Sequence, residues 1–187
     1  NYVSAETEPD TLVGIAKSLN YLVAFGQWST EFFYDAGNAT GSPLASVPNA
    51  FFTIGCASGR SIVKTENAVV WMSQTYQRGR QIMMLNGFQP QTISTSEIDR
   101  ILNADDLANV YSFSIKTNGS VFYVLTLKTS NKTLVYDFTS KQWHFWSTMV
   151  VQSPKSVTSL TYANGVVTVS QTAHGYADGD LVVIAGA

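Results

Sequence analysis

Short apolar runs, each closed by a turn signal, recur along this chain at a spacing of about ten residues. Residues 21–25 (YLVAF), 30–34 (TEFFY), 51–56 (FFTIGC), 61–65 (SIVKT), 68–73 (AVVWMS) and 80–85 (RQIMML) are the first six; residues 11–19 (TLVGIAKSL) read as a further strand or edge segment ahead of them. Gly26-Gln27 joins the first two runs into a hairpin, Glu66-Asn67 and Gln77-Arg78-Gly79 are turns, and 86–90 (NGFQP) ends the last strand. Residues 35–50 carry Gly and Pro breakers among small polar residues and read as a loop between sheets. Such spacing leaves almost no room for helices. It admits an antiparallel sandwich, barrel or propeller.

One segment departs from the pattern. In 94–102 (STSEIDRIL), Ser94 and Glu97 resemble a capping box, and Ile98, Ile101 and Leu102 recur at helical spacing. This predicts a helix over about 96–103. Beyond Asp105-Asp106 the strand pattern resumes at 111–116, 121–127, 133–137 and 143–146. Asn118-Gly119 is a strong hairpin signal. Residues 111–146 therefore read as one four-stranded meander, the size of a propeller blade. The pieces 21–34, 61–85 and 111–146 each pair strands across polar turns, and each carries tryptophan: Trp28, Trp71, then Trp143 and Trp146. Two or three blades would leave a ring open.

Ser153-Pro154 interrupts the pattern, and strands follow at 157–162, 166–170 and 181–184. The expected fold is thus mostly all-β: antiparallel four-stranded sheets of a β-propeller over 1–152, then the start of a small β module or insertion over 153–187. The chain begins with Asn1 and stops near a strand, so it reads as a fragment.

Charge narrows the function classes. Only 13% of residues are charged, with 11 basic against 13 acidic and a net charge of −2. Nucleic-acid affinity rests on clustered cations, and Arg78-Gly79-Arg80 is the nearest approach to a cluster. A surface so poor in charge suits contact with other protein, although strands rich in Ser, Thr and Asn give a similar composition. The lone Cys56 rules out a disulfide framework and reads as a small core residue. No run of 18 apolar residues suits a membrane-spanning helix.

Motifs with chemical meaning fare poorly. Ser61-Ile62-Val63-Lys64 matches Ser-x-x-Lys, but that motif opens a helix, and in a strand Ser61 and Lys64 face opposite ways. Gly55-Cys56-Ala57-Ser58-Gly59 places its serine one position too late for a nucleophile elbow. His144 and His174 have no metal-ligand spacing to other residues. Asp105-Asp106 and Glu97 with Asp99 are acid pairs of the kind found on any solvated surface. The sequons at Asn118 and Asn131 fall in hairpin turns, where Asn is expected anyway. No residue is assigned a catalytic, cofactor-binding or metal-binding role, and no enzyme activity is expected.

The stretch 20–34 (NYLVAFGQWSTEFFY) resembles a blade of the "packaged DNA stabilisation" proteins, the tail hub or nozzle of short-tailed bacteriophages. The resemblance continues through 54–63 (IGCASGRSIV), 67–72 (NAVVWM), 85–95 (LNGFQPQTIST) and 134–144 (LVYDFTSKQWH), and covers about residues 20–148. Residues 168–186 instead resemble small β modules inserted in phage tail proteins. The resemblance implies a structural virion protein of the tail, working without cofactor. It implies a ring of six copies below the portal and adaptor that extends the DNA channel and helps retain the genome. It also implies contacts with a tail needle or plug and with tailspikes, passive contact with DNA in the channel, and no membrane insertion by this chain. Two alternatives stand beside it. One is a carbohydrate- or receptor-binding propeller or fibre domain in which Trp28, Trp71 or Trp146 stacks a sugar. The other is a glycan-cleaving enzyme, which needs two facing carboxylates across a cleft. Burial separates the first two: hub aromatics belong in cores or subunit contacts, lectin aromatics in an open groove beside polar groups.

Overall fold

The computed structural model describes residues 10–66, 68–107, 109–146, 156–173 and 175. The chain divides into two compact units, Asn1–Ser147 and Thr148–Ala187.

The first unit holds three sheets in sequence order, every strand antiparallel to its neighbour. The first sheet is the meander β1 (Leu12–Ser18), β2 (Tyr21–Gly26), β3 (Thr30–Asp35) and β4 (Leu44–Phe52). The second runs β5 (Gly55–Cys56), β7 (Val69–Thr75), β8 (Gly79–Asn86) and β9 (Gln89–Thr92), with the short β6 (Val63–Lys64) also paired to β7. The third is the meander β10 (Val110–Thr117), β11 (Ser120–Leu127), β12 (Lys132–Asp137) and β13 (Gln142–Trp146). Helix α1 (Ser96–Ala104) connects the second sheet to the third. The first and third sheets have four strands and the second has five, two of them the short β5 and β6 side by side on β7, and the three consecutive sheets carry the propeller pattern expected of the sequence.

Several local expectations are corrected. Residues 51–56 are not one strand: β4 ends at Phe52 in the first sheet, and Gly55-Cys56 begins the second. Nor is 35–50 all loop, since its second half is β4. Pro48 sits there because an edge strand needs partners on one side only. The register shifts between Glu31 and Phe33, a bulge that takes up the extra residues around Asn49 (φ 59°). Asn86-Gly87 does not end the second sheet but turns it into β9. Of residues 61–65, expected as one strand, only Val63–Lys64 (β6) is strand. A 3₁₀ turn at Gly59–Ser61 interrupts the innermost strand between β5 and β6. The helix cap is Thr95, whose hydroxyl accepts from the Ile98 amide, rather than Ser94. Ser94 instead donates to Asp99. Two physical causes account for the strand corrections: edge strands tolerate the Pro and Gly at 43–50 and 86–90, and the interruptions at 53–54 and 59–61 arise where one sheet passes to the next or packs on it.

The second sheet has no solvent face over its central strands. Alternate residues of β7 point to opposite sides. Val69 and Trp71, with Met83 and Leu85 of β8, pack on Val23, Phe25 and Phe32 of the first sheet. Val70 and Met72, with Ile82, pack on α1 through Ile98 and Leu102, and on Tyr123, Leu125, Leu127 and Leu134 of the third sheet. Two-sided burial explains why 69–72 and 82–85 read as continuous apolar runs rather than alternating ones. The outward face of the third sheet also carries large apolar groups. Tyr111, Phe113 and Trp146 are 41%, 42% and 45% exposed; the register sets Phe113 in the row of the buried Val124 and Val135, and Tyr111 and Trp146 in the adjoining row of Thr126 and Thr133.

The innermost elements meet at a common centre. Ser112 of β10 donates its hydroxyl to the Arg60 carbonyl at 2.9 Å, and Tyr123 donates to the Ser61 carbonyl at 3.0 Å. A Cβ on Gly59 would press on the Val13 carbonyl of β1.

In the second unit, β14 (Ser159–Ala163) and β15 (Val166–Ser170) form a hairpin across Asn164-Gly165, both at positive φ. Leu160, Tyr162, Val167 and Val169 share one face, and Thr161 and Thr168 the other. The strand expected at 181–184 lies outside the described residues.

Candidate functional site

The residues singled out for chemistry are structural where they are described. Ser61 is fully buried in the 3₁₀ turn, while Lys64 is exposed. The Ser61 hydroxyl donates to the Ser58 carbonyl at 2.6 Å and accepts from the Met72 amide at 2.9 Å. It thus satisfies the Met72 N–H where the innermost strand is interrupted. The same residue's carbonyl receives the buried Tyr123 hydroxyl, and burial pushes that phenol well above its ordinary value. One serine therefore ties the second sheet to the third.

Cys56 is 1% exposed, and burial pushes its thiol up to about 11, against weaker opposing hydrogen bonds to Ser58 and Ser61. A thiol so placed stays protonated near neutrality and is a poor nucleophile. Gly55 is close-packed rather than part of an elbow: an added Cβ would strike the backbone of Gln27 and Trp28 in the β2–β3 turn.

The acids are latches. Asp105 accepts from the Leu107 amide and from the Ser130 amide and hydroxyl, and Asp106 accepts from the Thr129 hydroxyl. Together they dock the loop after α1 on the β11–β12 turn. Asp99 accepts from Ser94 and from the Gln81 side chain, fixing α1 to β8. Glu97 is exposed. Arg80 donates to the Leu102 and Asp105 carbonyls and covers the open end of α1. His144 is exposed on β13, opposite Val135, and His174 lies outside the described residues. Among the described residues, no three of His, Cys, Asp and Glu cluster as metal ligands. No helix among them is long and apolar enough to cross a membrane.

Asp10 carries no sequence signal. Its carboxylate accepts from the Trp28 and Ser29 amides, the Ser29 hydroxyl and the Thr11 amide, at 2.6–2.9 Å. Partial burial works to raise this group, but the four donors prevail and hold it below the ordinary carboxylate value. A depressed folded-state value contributes stability above the unfolded carboxylate value of about 3.9 and loses it as pH falls through the folded one. We therefore expect Asp10→Asn to lower the Tm by a constant amount above about pH 5 and to match the parent at the acid end. Thermal unfolding of both across pH 2–7 measures this.

The tryptophans divide. Trp71 is buried and donates its indole N–H to the Gly55 carbonyl at 3.1 Å; Trp143 is half-buried and donates to the Ile93 carbonyl at 2.7 Å. Trp146 lies on the outward face of the third sheet. Trp28 stacks face to face on Tyr76, with centroids 3.9 Å apart and planes 12° from parallel. Tyr76 itself is 80% exposed. It stands at the lip of a cleft of about 360 Å³ between the β4–β5 connection and the β7–β8 turn. Sequence inspection missed this residue, because a tyrosine in a polar turn gives no periodic signal.

A family model described as "Bacteriophage P22 Gp10, beta-propeller" matches residues 1–178. None of the curated proteins searched matches the chain.

Proposed function

The chain belongs to the family of the bacteriophage P22 Gp10 β-propeller, structural phage proteins associated with stabilising packaged DNA, and from that membership we propose that it is a subunit of the tail hub or nozzle. In this role it continues the DNA channel below the portal and its adaptor, helps keep the packaged genome in place, and anchors other tail parts. Its partners would be further copies of itself in a ring of six, the adaptor, a needle or plug, and tailspikes. DNA would pass it without specific contact.

The observation that carries this proposal is the family match over 1–178, which spans sequence in both compact units. Physical features agree with it. The third sheet keeps large apolar side chains on its outward face, as a sheet awaiting a neighbour does. With 13% charged residues, and one ion pair among the described residues (Lys116–Glu66), the surface suits assembly better than phosphate binding. Asp10, Asp99 and Asp105 are latched to backbone amides and to side-chain hydroxyl and amide groups, an arrangement that suits scaffolding.

The test is the mass of the full-length protein in solution, alone and with the portal and adaptor proteins of the same phage. We expect a closed ring, or a stable complex with the adaptor. A monomer that ignores the adaptor sinks the tail-hub role.

A further inference from the structure

We propose that the cleft beside Tyr76 binds an acidic saccharide, with one sugar ring stacked on the open face of Tyr76 and its carboxylate held by Arg78. This goes beyond the assembly role and does not depend on it.

The platform comes first. Tyr76 lies in the β7–β8 turn and is 80% exposed. Trp28, from the β2–β3 turn of the first sheet, covers one face of the ring at 3.9 Å and leaves the other open. Trp28 is itself fixed, since its amide donates to Asp10 at 2.6 Å. A large aromatic held by a second ring and presented to solvent is the surface on which the apolar face of a sugar stacks.

The cleft supplies the rest. Its volume, about 360 Å³, falls at the lower end of the range for small-ligand sites, about 300–1,000 Å³. Thr53, Ser73, Thr75 and Thr92 line it with hydroxyls, and Gln77 and Gln81 with amides. Ile54 and Met83 give it a small apolar floor. Ser73 donates to the Gln81 carbonyl, Gln81 to Asp99 and Thr92 to the Met83 sulfur, and Thr75 accepts from the Arg78 amide, so these groups are held in place. Arg78 makes no ion pair among the described residues.

Other occupants fit less well. An extended peptide would add to the β9 edge, but Pro90 lies on that strand and cannot donate. A nucleic acid needs several cations along its backbone, and among the described residues Arg78 is the one cation lining the cleft. A sugar acid carries one charge per ring, which one guanidinium can match.

The experiment uses the full chain with trigalacturonate and maltotriose as probes, read by saturation-transfer NMR and titration calorimetry. Trigalacturonate should bind with a Kd on the order of 1 mM or tighter, and maltotriose more weakly. Tyr76→Ala should weaken trigalacturonate by roughly tenfold or more, while Tyr76→Phe keeps it. Arg78→Gln should remove the preference for the acidic sugar. Both positions are exposed, so an unchanged Tm checks the fold. Absence of transfer to trigalacturonate overturns the proposal, as does unchanged binding by Tyr76→Ala. Tyr76 signals that move with protein concentration but not with sugar would also overturn it, marking the ring pair as a contact between copies.

Discussion

Replacing Trp71 by alanine is expected to cost about 3–5 kcal/mol, the range for deleting a large buried aromatic. Trp71 is 1% exposed and packs on Phe25 with ring centroids 5.0 Å apart, so its removal opens a cavity between the first and second sheets. The loss should fall at the upper end, because the buried Gly55 carbonyl also loses the indole N–H. For a unit of this size the Tm should fall by about 10 °C or more. Urea unfolding, followed by far-ultraviolet circular dichroism, measures it. Trp28→Ala, at a half-buried ring in a turn, should cost far less. Equal losses at the two sites would mean that the interface between the sheets is not where the stability lies.

Gly55→Ala should be nearly as damaging, at about 3 kcal/mol, the top of the usual range for overpacking. The new methyl group would meet the Gln27 carbonyl and the Trp28 amide, which are backbone and cannot rotate aside. The β2–β3 turn would have to move, yet Asp10 holds that turn through the Trp28 and Ser29 amides. Gly37→Ala is the control. Gly37 lies in open space with φ of 63°, so alanine there adds only left-handed backbone strain, about 1 kcal/mol. The same denaturant titration compares the two. If Gly55→Ala unfolds at the parent's midpoint, the two sheets are not in such close contact.

Most of the architecture was legible because its signals are local. The hairpin at Asn118-Gly119 has both residues at positive φ, and the meander it anchors lies where the turn chemistry put it. Helix α1 followed from the spacing of Ile98, Ile101 and Leu102. What stayed hidden depends on distant partners. β4 contains Pro48 and looks like loop until β3 is beside it. Ser61 looked like a strand residue, because its task of satisfying the Met72 amide links positions 11 residues apart. Tyr76 acquires meaning only when Trp28, from another sheet, is laid against it. Asp10 was unreadable for the same reason: three of its four donors lie 18 and 19 residues away.

The two-sided burial of the second sheet bears on how the protein is made. The central residues of β7 and β8 are buried on both faces, so during synthesis they cannot settle until both the preceding and the following sheet are present. The first sheet leaves the ribosome with its inner aromatics uncovered, and it must wait through the synthesis of β5 to β9 for its cover. The two later sheets then close on each other through α1. Assembly of the first unit should accordingly be a single concerted event with few stable halfway forms, and a ribosome stalled near the end of β9 would present a sticky, unfinished surface to its neighbours.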